Sequence, residues 1–390
     1  MKILAVGQLP TEVGGNYSTG MGKVMYELSC QSYGTDTLYS LAVNCRHSAA
    51  RRLGGDRYIG YTFPLLRLCK DALRHPARFR SELRDYRCNL NYSPWRALFY
   101  RLNIDRAVRS VNPNIVHLHS IDLVIPFSHS EYAKAAKSVV TCHGIFQTEG
   151  NPQRCGYYED SLSRVDYVSG LTKEIHHKLR GLGVSSQRIF TIPNGVDTSK
   201  FRYSESERKR LREEQGISEH TVVFLTVASI QKRKGQLDFL RQLVHSGMDF
   251  RYWLIGKGPD SDSILAFAAE SGVADRVTLI GYVDAPKLYS YYSAADIYAH
   301  VSSEEGQALS EIEAYTTGLR VLVNRKIVGT LANEAENNPR YHIADTDQPL
   351  DWAEFRRWAG NPSGAERVPS SRFDWQHIAD MYRAMYGKIL

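Results

Sequence analysis

Ala295-Asp296-Ile297-Tyr298-Ala299-His300-Val301-Ser302-Ser303-Glu304-Glu305-Gly306-Gln307-Ala308-Leu309-Ser310-Glu311-Ile312-Glu313-Ala314 runs from an apolar, strand-like stretch through a polar turn into an amphipathic segment that ends near Gly318. On a helical wheel with Leu309 at 0°, Ile312 falls near about 300°, Thr316 near about 340° and Glu313 near about 40°. Glu313 therefore shares the inward stripe, and Glu311 is expected to face water. A carboxylate on a buried stripe costs several kcal/mol unless it meets hydrogen-bond donors. Sugar hydroxyls are such donors, and the free N–H groups at the helix start would hold an anion beside them. An Arg partner inside the fold is the alternative.

Working outward, short β-branched or apolar runs alternate with helix-length amphipathic segments along the whole chain. That alternation predicts an α/β protein with mostly parallel sheets. In the first half the predicted strands are Lys2–Val6, Thr37–Val43, Ile115–His119, Ser138–Cys142, Tyr167–Ser169 and Arg188–Ile192. Pro193-Asn194-Gly195-Val196-Asp197 then breaks the pattern with turn residues, and a charged helix over Glu205–Gln215 ends at Gly216. The second half predicts strands at Thr221–Val227, Arg251–Ile255, Val277–Ile280, Ile297–Val301 and Arg320–Val323. Each half is long enough for its own doubly wound domain, whose ligands bind outside the carboxyl ends of the strands.

Glu305 and Glu313, seven residues apart in between and with Gly306 after the first, resemble the E-G-x-G-x-x-x-x-E signature of family 4 retaining glycosyltransferases, which have the GT-B fold. Ile192-Pro193-Asn194-Gly195-Val196-Asp197, Lys234-Gly235, Leu254-Ile255-Gly256-Lys257-Gly258-Pro259, Gly281-Tyr282-Val283 and Phe373-Asp374-Trp375 match the family in the same order. No motif matches between about Arg46 and Arg109. The resemblance implies two Rossmann-like domains facing across a cleft. The first, 1–193, is the acceptor side and is completed by a C-terminal helix, 373–390, that crosses back to it. The second, 194–372, binds the nucleotide-sugar. It also implies sugar transfer from a nucleotide donor, expected to be UDP-linked, to a hydroxyl of a glycan or glycolipid in surface polysaccharide synthesis, with retention through same-face attack. The nucleotide-sugar is a substrate, so no cofactor is expected.

Lys234 lies just after a strand and just before the helix that Gly235 opens. A cation there can neutralise the departing diphosphate; the alternative is an exposed lysine in the basic turn formed with Lys232 and Arg233. By resemblance, Lys234, Glu305 and His143 are the catalytic candidates. Donor binding is carried onto Gly15, Ser229, Lys234, Val283, Glu305, Gln307, Ala308, Leu309 and Glu313. Glu305 would meet the sugar hydroxyls near the anomeric carbon, Glu313 the ribose, and the backbone of Gln307, Ala308 and Leu309 the phosphates and sugar. His143 closes the strand-like Thr141-Cys142 before Gly144, where it could hydrogen-bond a hydroxyl; a structural histidine is the other reading. His117 and His119 share one strand face and read as satisfied core or surface histidines.

The chain departs from the family at three points. Ser229 or Ala228 stands where an Arg is usual, so either Arg233, Lys232 or a more distant Arg replaces that cation or the site is weaker or inactive. Gln307 and Ala308 stand where Phe and Gly are common, which reads as a change in sugar preference. The first loop, Gly14-Gly15-Asn16-Tyr17-Ser18-Thr19-Gly20-Met21-Gly22-Lys23, lacks the spacing of a P-loop and resembles the family's glycine loop with a short insertion. No Asp-x-Asp stands at a strand end suited to a metal-bound diphosphate, so no metal is expected. An epimerase or phosphorylase on the same fold, or a non-catalytic sugar-nucleotide-binding partner, are the rival readings.

The net charge of +7 is uneven: residues 46–109 hold fifteen Arg or Lys against five Asp or Glu. With Leu65, Leu66, Leu68, Leu73, Phe79 and Leu83 between them, these predict amphipathic helices with a basic face. Such a face suits anionic lipid headgroups or a phosphate-bearing acceptor, against the plainer reading of a solvated exterior. No nucleic-acid-binding module is recognisable. No apolar run approaches the roughly 20 residues that span a bilayer, and the first residues read as a buried strand rather than a signal peptide. The six cysteines show no metal-binding spacing and suit free thiols in a reducing compartment. A cytoplasmic location follows as the expectation, with the basic segment as the candidate attachment to the inner face of the membrane.

Overall fold

The computed structural model describes residues 1–390 apart from 17–18, 91, 149, 328–337, 347 and 361–371. The chain divides into two compact units, Met1–Asn194 with Trp375–Leu390, and Gly195–Asp374.

The first unit is built on a sheet of seven parallel strands: β1 (Lys2–Gly7), β2 (Thr37–Arg46), β3 (Tyr58–Tyr61), β4 (Ile115–Leu118), β5 (Lys137–Cys142), β6 (Tyr167–Gly170) and β7 (Ile189–Thr191), in the order β3-β2-β1-β4-β5-β6-β7. The second has six: β8 (Val222–Val227), β9 (Phe250–Ile255), β10 (Val277–Gly281), β11 (Ile297–His300), β12 (Arg320–Asn324) and β13 (Tyr341–Ala344), in the order β10-β9-β8-β11-β12-β13. All of these pairings are parallel. Runs such as Ile3-Leu4-Ala5-Val6 and Val223-Phe224-Leu225 are buried residue after residue, because helices cover both faces of a parallel sheet. In each unit the winding direction reverses once, between β1 and β4 and between β8 and β11. Loops leaving those adjacent strands diverge and leave room for a ligand.

Two strands escape the sequence reading. β3 and β13 are four-residue edge strands, one interrupted by Gly60 and the other by His342, so neither presents a continuous apolar run.

The last helix, Trp375–Ile389, belongs to the first unit. Trp375, Ile378, Ala379, Tyr382, Met385, Tyr386 and Ile389 form its buried stripe at helical spacing. Gln376 exchanges hydrogen bonds with the Ser32 backbone at 3.0 and 2.9 Å, and Arg383 meets Asp36 at 3.0 Å. Tyr386 binds the His117 ring at 2.7 Å, and Thr141 holds the other ring nitrogen at 2.7 Å. His117 is thus a satisfied core histidine. Phe373 and Asp374 stay with the second unit, where the Val196 N–H donates to the Phe373 carbonyl at 2.7 Å and Thr198 to the Asp374 carboxylate at 2.8 Å.

The basic segment holds β3 and the α-helices His47–Gly54, Leu65–Arg74, Pro76–Asn89 and Pro94–Val111. Arg101 ties three of them together from within: its Nε meets Glu82 at 2.6 Å, one terminal nitrogen meets Asp105 at 2.8 Å, and the other meets Asp71.

Candidate active site

β8 ends at Val227, and the loop that follows is stitched to its neighbours. Ala228 N–H donates to the Ile255 carbonyl and Ile230 N–H to the Lys257 carbonyl, each at 3.0 Å. A short turn over Lys232–Lys234 ends at Gly235, whose φ of 70° is left-handed. A Cβ at Gly235 would lie 2.3 Å from the Val301 carbonyl oxygen, so only glycine lets this turn press against the end of β11. Ser303 N–H then donates to the Arg233 carbonyl at 2.9 Å, and the Arg233 guanidinium to the Glu304 carbonyl at 2.7 Å. The two loops that leave the reversal point between β8 and β11 are thereby clamped together.

The clamp brings Lys234 and Glu305 into contact. Lys234 Nζ donates to Glu305 Oε1, the same oxygen accepts from Ser302 Oγ at 3.2 Å, and Arg233 stands 3.8 Å away. His300, the last residue of β11, completes the group. Its Nδ1 lies 2.7 Å from Glu311 Oε2 and its Nε2 3.9 Å from Glu305 Oε1. Burial opposes charge on this imidazole, but Glu311 and Glu305 outweigh it and raise its pKa to about 9. Burial likewise opposes charge on Glu305, and His300 and Lys234 outweigh it and hold the carboxyl down at about 2.

Glu311 corrects the sequence reading. It was expected in water and is buried, bonded to His300. The helix Leu309–Thr316 is covered on both sides, and Glu311, Ile312, Glu313, Ala314 and Thr316 are all buried, so a one-sided wheel fails. His300 was read only as a strand residue. Its place at a strand end, followed by Glu304, Glu305 and Glu311, is the signal that could have marked it.

Glu313 accepts a hydrogen bond from the buried Tyr292 hydroxyl at 2.9 Å. Gln307 is buried, and Ala308 precedes the helix in an extended conformation with no side-chain cap. The first helical N–H groups, from Leu309 onward, can therefore serve an anion. Ser229 is exposed and its hydroxyl accepts from Gln231 at 2.8 Å, while half-buried Val283 packs against the core beneath the sheet. Among the described residues no group of three His, Cys, Asp or Glu side chains could hold a metal ion.

Gly15 and His143 lie in the first unit. A Cβ at Gly15 would come within 1.9 Å of the Leu9 carbonyl oxygen. Asn44, near the end of β2, fixes that turn by exchanging two 2.8 Å hydrogen bonds with the Leu9 backbone. His143 follows β5 with its Nε2 buried and without a hydrogen-bond partner among the described residues. Burial lowers its pKa to about 4, so the ring is neutral near pH 7. The His119 ring lies 6.0 Å from it between centroids. His119 lines a cavity of about 110 Å³ with Gly7, Gln8, Met21, Arg96 and Ser120, at the reversal point between β1 and β4.

Residues 45–200 match the family described as Glycosyltransferase Family 4, and residues 207–355 the family described as Glycosyl transferases group 1. D-inositol 3-phosphate glycosyltransferase of Xylanimonas cellulosilytica is 27% identical over 237 residues, 57% of this chain and 56% of that protein. Alpha-monoglucosyldiacylglycerol synthase of Acholeplasma laidlawii is 28% identical over 159 residues, 39% of each chain. The matched region thus spans about half or less of these two relatives. Anabaena Alr3699/HepE, solved in complex with UDP and glucose, superposes over 100% of both chains with a TM-score of 0.75 at 14% identity. That likeness carries the fold, a two-domain α/β architecture of the GT-B kind.

Proposed function

From a chain that belongs to the family 4 glycosyltransferases of GT-B fold, we propose transfer of a sugar from a UDP-linked donor to a hydroxyl of a glycan or lipid-linked acceptor, with retention at the anomeric carbon and without a metal ion. The observation that carries this reading is the Lys234–Glu305–His300 group at the reversal point of the second sheet. A diphosphate arriving beside Lys234 replaces Glu305 as its counterion. Glu305, still a carboxylate, then turns to the sugar hydroxyls, and His300 remains charged between Glu311 and Glu305.

Cleavage of the bond between the anomeric carbon and the phosphate oxygen adds one negative charge to the departing terminal phosphate. Lys234 and the uncapped helix start at Leu309 meet that charge as it develops. Arg233, clamped beside Glu305, supplies the second cation that the absence of Arg at Ser229 demands. The acceptor oxygen bonds the same face of the anomeric carbon, and its proton passes to the departing phosphate oxygen. Ser229, Val283 and the backbone of Gln307 and Ala308 are assigned to the donor, Glu313 to its ribose, and Gly15 to the close approach of the first loop. Neutral His143 is suited to exchange hydrogen bonds with a hydroxyl.

The relatives' names support a phosphate-bearing or lipid acceptor, and the UDP complex of Alr3699/HepE supports the donor nucleotide. The test is release of UDP from UDP-sugars with and without inositol phosphate, diacylglycerol and glycan acceptors. Acceptor-dependent release supports transfer. Release or sugar isomerisation without acceptor, or UDP binding with no turnover across the panel, rejects it.

A further inference from the structure

The helix Leu65–Arg74 in the first unit has no buried residue along its length. Its inward side is narrow: Asp71 reaches Arg101, and Leu68 packs against a small cluster around Tyr86, Leu98 and Tyr157. Leu65, Cys69, Leu73 and Leu66 fall within an arc of roughly 100° on the outer side, and Lys70, Arg74 and Arg67 occupy the adjoining arc. The leucines on the outer arc are bare. Leu65 is 68% exposed, Leu66 79% and Leu73 82%, and beside them stand Phe63 at 76% and Trp95 at 59%. Phe63, Leu65, Leu68, Trp95 and Phe99 also line an apolar groove of about 200 Å³ between this helix and the start of the next long one, Pro94–Val111. The sequence pattern alone would have turned all of these leucines inward. Arg101 drawing Asp71 inward leaves them outside.

The charges around this patch are one-sided in a way composition does not reveal. Every acid of residues 46–109 is engaged: Asp71, Glu82 and Asp105 on Arg101, Asp85 on Arg164 and His129, Asp56 on Arg51. Arg67, Lys70, Arg74 and Arg96 form no ion pair among the described residues and are exposed. Apolar and cationic rows thus run side by side along one helix, so a flat surface can engage both at once.

We propose that this patch is a membrane-docking surface: Phe63, Leu65, Leu66, Leu73 and Trp95 enter the headgroup–acyl boundary of an anionic bilayer while Arg67, Lys70, Arg74 and Arg96 meet lipid phosphates. A symmetric contact with a second copy would set the same cationic row against itself, which disfavours that occupant. The inference goes beyond the proposed transfer reaction and does not depend on it.

The test is co-sedimentation of the full chain with phosphatidylcholine vesicles and with vesicles containing 30% phosphatidylglycerol as the probe. Binding to the anionic vesicles alone, falling as salt rises, is expected. Each cation near an anionic surface contributes about fivefold to partitioning, so R67Q/K70Q/R74Q should reduce it by on the order of 10²-fold. Leu66→Ser with Leu73→Ser leaves the charge unchanged and should reduce it at least about 10-fold, because the inserted apolar area is lost. Circular dichroism and melting should match wild type for both variants, since the altered side chains are exposed. Binding equal on neutral and anionic vesicles, binding to neither, or variants that bind as wild type overturn the proposal. So does concentration-dependent dimerisation that Leu66→Ser with Leu73→Ser abolishes, which would assign the patch to a second copy.

Discussion

The sheets of both units end in histidines, His300 buried and His143 half-buried with its Nε2 enclosed, and the two ends are held in opposite charge states. His300 at the end of β11 is held charged, with a pKa of about 9, and His143 after β5 is held neutral, at about 4. Burial pushes both toward neutrality. The difference lies in what each ring meets. His300 has Glu311 at 2.7 Å and Glu305 at 3.9 Å, whereas His143 has the ring of His119, another base, at 6.0 Å. A strand end with cations held among carboxylates can exchange one anion for another and so suits a diphosphate. Neutral imidazoles at a strand end offer hydrogen bonds without a charge of their own and suit hydroxyls. Desolvation acts in the same direction on both rings, and a few carboxylates decide which chemistry results.

The sharpest way to break the comparison is to remove a cation from the charged end. Lys234→Ala should lower kcat/KM for sugar transfer by at least about 10²-fold, roughly 2.7 kcal/mol of transition-state stabilisation. Turnover is followed by UDP release at saturating acceptor. A variant within a factor of three of wild type would return Lys234 to the status of an ordinary turn residue.

Lys234 and Glu305 were legible in the sequence because their placement is local. Each follows a strand within a few residues, and Gly235 and Gly306 mark the turns that put them there. What stayed hidden required two elements at once. The His300–Glu311 contact joins a strand end to a helix whose both faces are covered, and a wheel drawn for one face sends Glu311 to water. Arg233 was named with Lys232 and a more distant Arg as the missing cation, but its place beside Glu305 depends on the clamp between two loops 70 residues apart along the chain. The alternation of runs carried the parallel sheets, but Gly60 and His342 break the apolar runs of β3 and β13. In the basic helices the sequence showed apolar and cationic residues at helical spacing. It could not show that Asp71, drawn to Arg101, leaves three leucines outside.

The charge on His300 carries its own test. Its folded-state pKa of about 9 lies above the unfolded value of 6.5, so its contribution to stability is complete below pH 6.5 and declines as pH rises through 9. The shift corresponds to about 3 kcal/mol as an upper bound, because the His300–Glu305 part of it also holds Glu305 down and counts once. Urea unfolding at pH 6 and pH 9.5 should show wild type losing stability across that window, and His300→Gln losing much less. Identical pH slopes for the two proteins would mean that His300 is neutral in the folded state.

At the neutral end the expected effects are smaller. His143→Ala should lower kcat/KM by about 10-fold, the value of one neutral hydrogen bond in the site, with His143→Gln recovering part of it. With its pKa held at about 4 by burial, His143 should add no inflection to the kcat/KM profile between pH 5 and 8. An inflection near 6.5 that His143→Gln removes would show that the ring titrates as an exposed one does.

The smallest effect is expected at Glu313, where ligand and fold compete for one carboxylate. It is buried and already accepts from Tyr292 at 2.9 Å, which leaves its capacity as a four-site acceptor only partly used by that bond. If the ribose hydroxyls take part of the remainder, Glu313→Gln exchanges a charged acceptor for a neutral one and should weaken UDP and UDP-sugar binding alike, by about fivefold, since the difference between such hydrogen bonds is about 1 kcal/mol. Gln can still accept from Tyr292, so the melting temperature should hardly move. Tyr292→Phe is the control: it removes the internal donor, leaves the carboxylate to the ribose and should cost stability more than UDP affinity. Titration calorimetry with UDP and thermal melting of both variants separate the two roles. Unchanged UDP affinity in Glu313→Gln together with a lowered melting temperature would make Glu313 a structural partner of Tyr292, and the charged end of the second sheet would then hold phosphate without gripping the ribose.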